Sequence, residues 1–260
     1  MKKKHFKAVS LILVGLAMIS FMPKDVVTLR LSPQQGKTYT LTTKTNMMMM
    51  MEVQGQSMSQ SQNMETRQSF TATEVTDTQS TFETQIEALK LSISQMGMKL
   101  EYDSEHPEKT SPMLAGQTKE MDAAIKKPAT AKYDIMGNVI DSLKLEMSQL
   151  GGAIVKLPEN ELSVGDKWNA ENKQSVSKID ITVNMEYTVT AISKKSVDVS
   201  FTGNIESTDV TGTYNGTASI DPKTGIITNS STKSNVSMTI NEQGMSIPVT
   251  MVGTSTVDVK

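Results

Sequence analysis

The chain contains no cysteine. That excludes a disulfide framework, a thiolate zinc site and a cysteine nucleophile together. It also excludes the modified cysteine that would tie an exported lipoprotein to a membrane. Aromatic residues are only 4% of the 260, with a single tryptophan, too few for the two aromatic girdles of a transmembrane barrel. Histidine is limited to His5 and His106, so neither a metal centre nor an imidazole-activated nucleophile is expected. No glycine-rich phosphate loop occurs. There is no excess of positive charge, with 26 basic against 28 acidic residues. Nucleic acid and anionic lipid headgroups are therefore not expected as electrostatic partners.

The one long uncharged run stands at the start. Lys2, Lys3, Lys4 and Lys7 precede residues 8–22, AVSLILVGLAMISFM. A basic stretch followed by a short apolar one is the layout of a secretory signal. As a helix the apolar part rises about 22 Å, short of the roughly 30 Å hydrocarbon core. We expect residues 1–22 to be a secretion signal, and the rest to work in a bacterial periplasm or cell envelope, or outside the cell. No good small-x-small cleavage site follows, so an uncleaved tether is the alternative. Without the four leader lysines the balance is −6, which suits a soluble exported surface.

What the chain has in quantity is Thr, Ser, Gln, Val, Ile and 20 methionines. β-Branched residues favour strands. Residues 26–31, 39–53, 64–75, 81–95 and 96–102 read as strands, and residues 54–63 (QGQSMSQSQN) as a hairpin tip or loop. Residues 113–127 carry a helical stripe of Met113, Leu114, Met121 and Ile125, which Pro128 ends. A turn at Met136-Gly137-Asn138 makes a hairpin. Residues 141–150 read as a second helix, capped by Asp141 or Ser142 and stopped by Gly151-Gly152. Strands resume from Val164, with a strong turn at Asp221-Pro222-Lys223-Thr224-Gly225. The expected class is mainly β (α+β): long antiparallel strands in a curved sheet, half-barrel or sandwich, with one or two helices on the concave face. Residues 23–260 would form one β-rich domain of two meanders, 26–103 and 164–260, flanking a helical insert at 113–150.

The two meanders resemble each other. Gly36-Lys37-Thr38-Tyr39 matches Gly165-Asp166-Lys167-Trp168, residues 70–75 match 187–192, Phe82 matches Val199, and Asp103 matches Asp221 in spacing.

The local oddity is five consecutive methionines, residues 47–51. Successive strand residues point to opposite faces, so both faces of this strand are apolar. It is either buried on both sides or lines an apolar cavity with one of them, and methionine suits surfaces that accept varied partners. The expected ligand-binding residues are Met47, Met49, Met51, Met113, Leu114, Met121 and Met147. Thioether copper is set aside, because such sites bring spaced methionines together and usually add His or Cys. Only Met58 and Met64, flanking a loop, offer that spacing. No catalytic residue, metal or cofactor is expected. His106 sits in an acidic, proline-flanked loop and reads as solvated, and Trp168 reads as a core anchor.

The order of features resembles a family of uncharacterised exported domains common in Bacteroidetes. It runs from an L-x-L strand through G-x-x-Y, Tyr102-Asp103-Ser104, a D-x-x-G hairpin (Asp134 to Gly137) and Leu157-Pro158 to V-G-D-x-W (Val164 to Trp168). Many members look like lipoproteins, and this chain departs from them in lacking the cysteine. The layout is also similar, at fold level, to the curved half-barrels of periplasmic lipoprotein and lipid carriers. The resemblance carries no activity over to this chain. The expected function is a non-enzymatic envelope protein that binds an apolar small molecule, a lipid or a lipidated partner in a Met-lined cavity. The alternative is a secreted scaffold with a filled core that binds an envelope protein.

Overall fold

The computed structural model describes residues 25–53, 55–114, 118–125, 127–143, 152–176, 179–207, 210–242 and 245–260. The expected secretion signal and Met147 lie outside these residues.

The strands are β1 (Val26–Val27), β2 (Thr38–Val53), β3 (Gln56–Val75), β4 (Gln79–Gln95), β5 (Met98–Asp103), β6 (Ala129–Asp134), β7 (Val139–Leu143), β8 (Leu162–Ser163), β9 (Lys167–Val176), β10 (Ile179–Ile192), β11 (Val197–Glu206), β12 (Val210–Ile220), β13 (Ile227–Glu242) and β14 (Met245–Val259). Helix α1 spans Thr118–Ala124. Twelve strands form one antiparallel sheet in the order β7-β6-β4-β3-β2-β14-β13-β12-β11-β10-β9, with β5 also paired to β4, while β1 and β8 pair separately. The chain is mainly β, as its composition predicts. Among the described residues the two end strands, β7 and β9, are not paired with each other, so the sheet is open.

Two sequence expectations change. The described part of the expected tip, residues 55–63, belongs to a hairpin, but the tip itself is confined to the tight turn at Gly55: residues 56–63 are strand, not loop, and pair with residues 46–53 of β2. Cross-strand pairing overrides the weak β-propensity of Gln and Ser. Residues 141–143 are strand, not the start of a helix, because Asp141, Ser142 and Leu143 pair with Lys132, Ala131 and Thr130 of β6. The remainder of that expected helix, residues 144–150, lies outside the described residues. In β4 the apolar residues Phe82, Ile86, Leu89, Leu91 and Ile93 keep only partly to period two, and the break is a bulge. Arg67 pairs with Ala88 and Gln68 with Ile86, leaving Glu87 over. The inner-facing set therefore switches from Phe82 and Ile86 to Leu89, Leu91 and Ile93.

We call inner the face that carries the core. Tyr39, Phe70 and Phe82 form one aromatic ladder with Tyr133, at centroid spacings of 5.1, 5.8 and 6.0 Å. Trp168, Tyr187 and Phe201 form a second, at 4.8 and 5.7 Å. Trp168 is the anchor expected of it: it is buried and its Nε1–H donates to the Lys156 carbonyl at 3.0 Å. Leu29, Leu31, Ala153, Ile154 and Leu157 fill the space between the ladders in one continuous cluster. A fully buried side chain of this size contributes about 1.5–3 kcal/mol.

The two halves repeat one another bond for bond. Gly36 N–H donates to Ala72 O at 2.7 Å and Ala72 N–H to Lys37 O at 3.1 Å; Gly165 N–H donates to Val189 O at 2.8 Å and Val189 N–H to Asp166 O at 2.9 Å. Tyr39 faces Phe70 as Trp168 faces Tyr187. Both second strands then bulge, between Ala72 and Glu74 and between Val189 and Ala191. The Thr73 hydroxyl donates to Thr81 O as the Thr190 hydroxyl does to Asp198 O. The turns that follow close through Thr76 N–H to Gln79 O and Ser193 N–H to Ser196 O. Strands β2, β3, β4, β6 and β7 thus correspond to β9 through β13. The counterpart of Asp221 is Asp134, not Asp103: Tyr133 pairs with Ser80 as Ile220 pairs with Val197, and each Asp follows. The insert carrying β5 and α1 displaces Asp134 along the chain, which is why spacing alone selects the wrong aspartate.

Two straps lock the halves together. Residues 28–32 reach the second half, where Ser32 N–H donates to Thr224 O at 3.0 Å. Residues 152–158 reach the first, where Leu157 N–H donates to Met136 O at 2.7 Å. At each crossing a glycine with positive φ lies directly under the strap: Gly225 (φ 70°) under the Arg30 carbonyl and Gly137 (φ 78°) under that of Val155.

Candidate binding face

The inner face carries almost no charge. On β2, β3, β10, β11, β12 and β14, and on β13 as far as Ile240, the described inward register positions hold no Asp, Glu, Lys or Arg. The charged residues of these strands, such as Lys44, Glu65, Arg67, Glu186 and Lys233, alternate to the outside. Moving along the strands from the aromatic ladders, the inner face passes through a belt of Gly203, Tyr214, Ser234 and Gly253, which are cross-strand neighbours. The belt is tight: a Cβ at Gly203 would overlap the Met185 sulfur, and one at Gly253 would stand 3.0 Å from the Ser234 hydroxyl oxygen. Beyond it lie the methionines.

Met47, Met49 and Met51 point inward, on the same side as buried Tyr39 and Leu41, and are half-buried. Gly253, Met251 and Val249 of β14 face them on one side, and Gln62, Gln60 and Met58 of β3 on the other. Met48 and Met50 point outward and are 51% and 44% exposed. The run is therefore neither buried on both sides nor left in solvent on both.

Two apolar clusters flank this ribbon. On one side Leu91, Tyr102 and Leu114 are buried, with Met64, Ile93, Met121 and Ile125 packed against them. Helix α1 thus covers the inner face of β3 to β5. The Tyr102 hydroxyl donates to Asp122 Oδ1 at 2.6 Å. Burial, then that carboxylate, push its pKa well above the usual tyrosine value. On the other side Ile205, Val210 and Val236 are buried, with Tyr214, Met238 and Met251 against them. Of the residues expected to bind ligand, Leu114 and Met121 meet in the first cluster, Met47, Met49 and Met51 share the ribbon, and Met113 stands 69% exposed on a 3-10 turn. Met58, Met251 and Gly253 stand beside the ribbon but are not among the residues expected to bind ligand. Strand alternation places them on one face, but no sequence signal says which strands lie side by side.

Two open depressions lie on the outer face, one at Met48, Ser59, Ser61 and Met96, the other at Asn169, Glu186, Thr202 and Asn204. Neither is lined by Met47, Met49 or Met51, and Met185 borders the second. Outside the sheet Arg67 pairs with Glu105 at 2.7 Å and Glu87 at 3.2 Å. The Arg67 guanidinium, with Lys90, holds the Glu105 carboxyl below its usual range. His106 pairs with Glu108 at 3.3 Å on the surface. Among the described residues no three His, Cys, Asp or Glu side chains gather into a metal site, and no helix is long and apolar enough to cross a membrane.

These features define a mainly β protein with one uncharged, methionine-bearing face. The profile of a family of unknown function (DUF6263) matches residues 142–227, which is less than half the chain and includes Val164 to Trp168 and strands β9 to β12. No curated protein matches the sequence. Among solved structures the chain is similar to a lipovitellin described by its lipid–protein interactions, with a TM-score of 0.49 and 11% identity, covering 87% of this chain and 25% of that one. The chain therefore spans only a minor part of that protein's length. It is also similar to an outer membrane channel from Pseudomonas putida F1, with a TM-score of 0.31 and 8% identity, covering 93% of this chain and all of that one. Both are distant similarities.

Proposed function

We propose that the chain is a non-enzymatic cell-envelope protein that holds an apolar ligand, a lipid or the acyl chain of a lipidated partner, against its inner face. The observation that carries this reading is the half-covered Met47, Met49 and Met51 ribbon, set on an uncharged face between two apolar clusters. An apolar chain laid along it meets no charge to desolvate, and flexible thioethers can repack around chains of different shape. The basic-then-apolar order of residues 2–22, expected of a secretion signal, and the resemblance of Val164 to Trp168 to exported Bacteroidetes domains support an envelope location.

Displacement of a fluorescent fatty acid tests the reading. Met49→Lys puts a charge on the inner face and is expected to weaken binding at least tenfold, which corresponds to about 1.4 kcal/mol. Met50→Lys, one residue on but facing out, is expected to leave binding unchanged. The scaffold reading rests on a different observation, the outward Met48, Met50 and Val252, which are exposed together. Equal effects of the two substitutions would favour it and overturn the apolar-ligand reading.

A further inference from the structure

The repeat of one half by the other is incomplete at one place. Strands β2, β3, β4, β6 and β7 correspond to β9 through β13, which leaves β14 without a counterpart. β14 covers the edge of β2, where Thr40 N–H donates to Lys260 O at 2.8 Å and Lys260 N–H to Thr40 O at 3.0 Å. Among the described residues β9 pairs only with β10, so the edge equivalent to that of β2 is uncovered. The chain has no length for a second β14: eight residues separate Leu143 from Gly152, against the fifteen of β14.

Strand alternation fixes what that edge offers. Val189 N–H donates to Asp166 O, so Asp166, Trp168 and Ala170 bond toward β10, and the N–H and C=O groups of Lys167, Asn169 and Glu171 point away from it. Asn169 follows Trp168 as Thr40 follows Tyr39. Unpaired edge groups are completed by a further strand. The side chains show that a second β9 fits. In an antiparallel pair with its two-fold axis at Asn169, Lys167 faces Glu171 of the second copy, and Glu171 faces that copy's Lys167. Trp168 faces Ala170, a large inward side chain beside a small one. Neighbouring registers lose this match. Centring on Trp168 sets Lys167 against Asn169, centring on Ala170 sets it against Lys173, and centring on Glu171 sets that carboxylate against itself. Lys167 already pairs with Glu186 at 2.8 Å, and an ammonium with three donors can serve both carboxylates.

We infer that β9 is the interface of a two-fold dimer, in which the β9 strands of two copies pair antiparallel about Asn169 and continue one sheet into the other. β9 offers ten residues to this pairing, where β7 at the other end of the sheet has five. Such an interface is isologous and closes at two copies. Trp168 and Ala170 of both copies stay on the inner side, so the two inner faces lie on one side of the joined sheet.

Sedimentation of the full-length protein over a wide range of concentration should show a monomer–dimer equilibrium. The chain has no cysteine, so Asn169→Cys carries a single thiol. Directly opposed, hydrogen-bonded residues have Cα atoms about 5.5 Å apart, within the span of a disulfide, and Asn169→Cys should oxidise to a covalent dimer. Thr202→Cys, exposed in the same row two strands further in, should not. Charge supplies a second arm. Glu171→Lys and Lys167→Glu should each weaken self-association about tenfold. An equimolar mixture of the two should dimerise as the wild type does, because every opposed pair in the mixed dimer again has opposite signs. A protein that stays monomeric at every concentration would overturn the proposal. So would a disulfide that forms as readily at Thr202→Cys as at Asn169→Cys, or a mixture no more dimeric than its components. No arm uses a ligand, so these outcomes are read independently of the apolar-ligand reading.

Discussion

Gly137→Ala and Gly225→Ala should each destabilise the protein by about 3 kcal/mol or more. Two effects add at these positions. A left-handed backbone costs an L-residue about 1–2 kcal/mol, and φ is 78° and 70° here. A Cβ would also overlap the carbonyl oxygen of Val155 at Gly137 and that of Arg30 at Gly225. Both oxygens belong to backbone, so neither can swing aside as a side chain can. Relief requires moving a strap, and each strap is held to the opposite half by Leu157 N–H to Met136 O or Ser32 N–H to Thr224 O. The structure contains its own controls. Gly36 (φ 79°) and Gly165 (φ 92°) also have positive φ, but a Cβ at either meets nothing within 4 Å. Alanine there should cost only the backbone strain. In thermal denaturation, the strap glycines should lower Tm by roughly 6–12 °C, against a few degrees for the controls. Equal shifts at all four positions would show that the straps do not clamp the two halves.

Truncating the first aromatic ladder should be as damaging. Phe70→Ala is expected to lose about 3–5 kcal/mol. Phe70 is fully buried, stacked on Tyr39 at 5.1 Å and tilted against Phe82 at 5.8 Å. Its removal opens a void between β2 and β4 that neighbours on a rigid sheet cannot close. Tyr187→Ala should behave alike, since Tyr187 holds the same place between Trp168 and Phe201. Burial alone raises the Tyr187 hydroxyl pKa to about 12, so the phenol stays neutral at any pH used for the measurement. Urea unfolding curves for the two variants give the comparison. A loss under 1 kcal/mol for Phe70→Ala would mean that the ladder is not where the core's stability resides.

Much of this fold is legible in the chain, for identifiable reasons. β-Branched and alternating segments announce the strands, and Asp221 to Gly225 announces its turn. Gly-x-x-Tyr and Gly-x-x-Trp mark the start of each half because the same hydrogen bonds recur there. The broken period around Glu87 is visible as well, although only the pairing of Arg67 with Ala88 and Gln68 with Ile86 identifies it as a bulge. What stays hidden is long-range. Thr45 and Ser255 share a hydrogen bond across 210 positions, and nothing local in β2 or β14 specifies that partner. The same blindness hides Met58 and Met251 from any reading of residues 47–51. The sequence also misleads where local preference and tertiary pairing disagree. Gln and Ser at 56–63 look like loop, and Asp141 and Ser142 look like a helix cap, until a neighbouring strand pairs with them. The reciprocal straps leave only Gly137 and Gly225 as a trace, and in sequence those are ordinary turn glycines.

Native mass spectrometry of the protein purified from its own host, without detergent or denaturant, tests the inner-face account most directly. The account predicts a population heavier than the bare chain, carrying an apolar molecule that organic extraction removes and identifies as lipid. It also predicts that Met49→Lys purifies without that molecule while Met50→Lys retains it. A wild-type protein that emerges only at its bare mass would contradict the account, as would one whose bound lipid is indifferent to Met49→Lys.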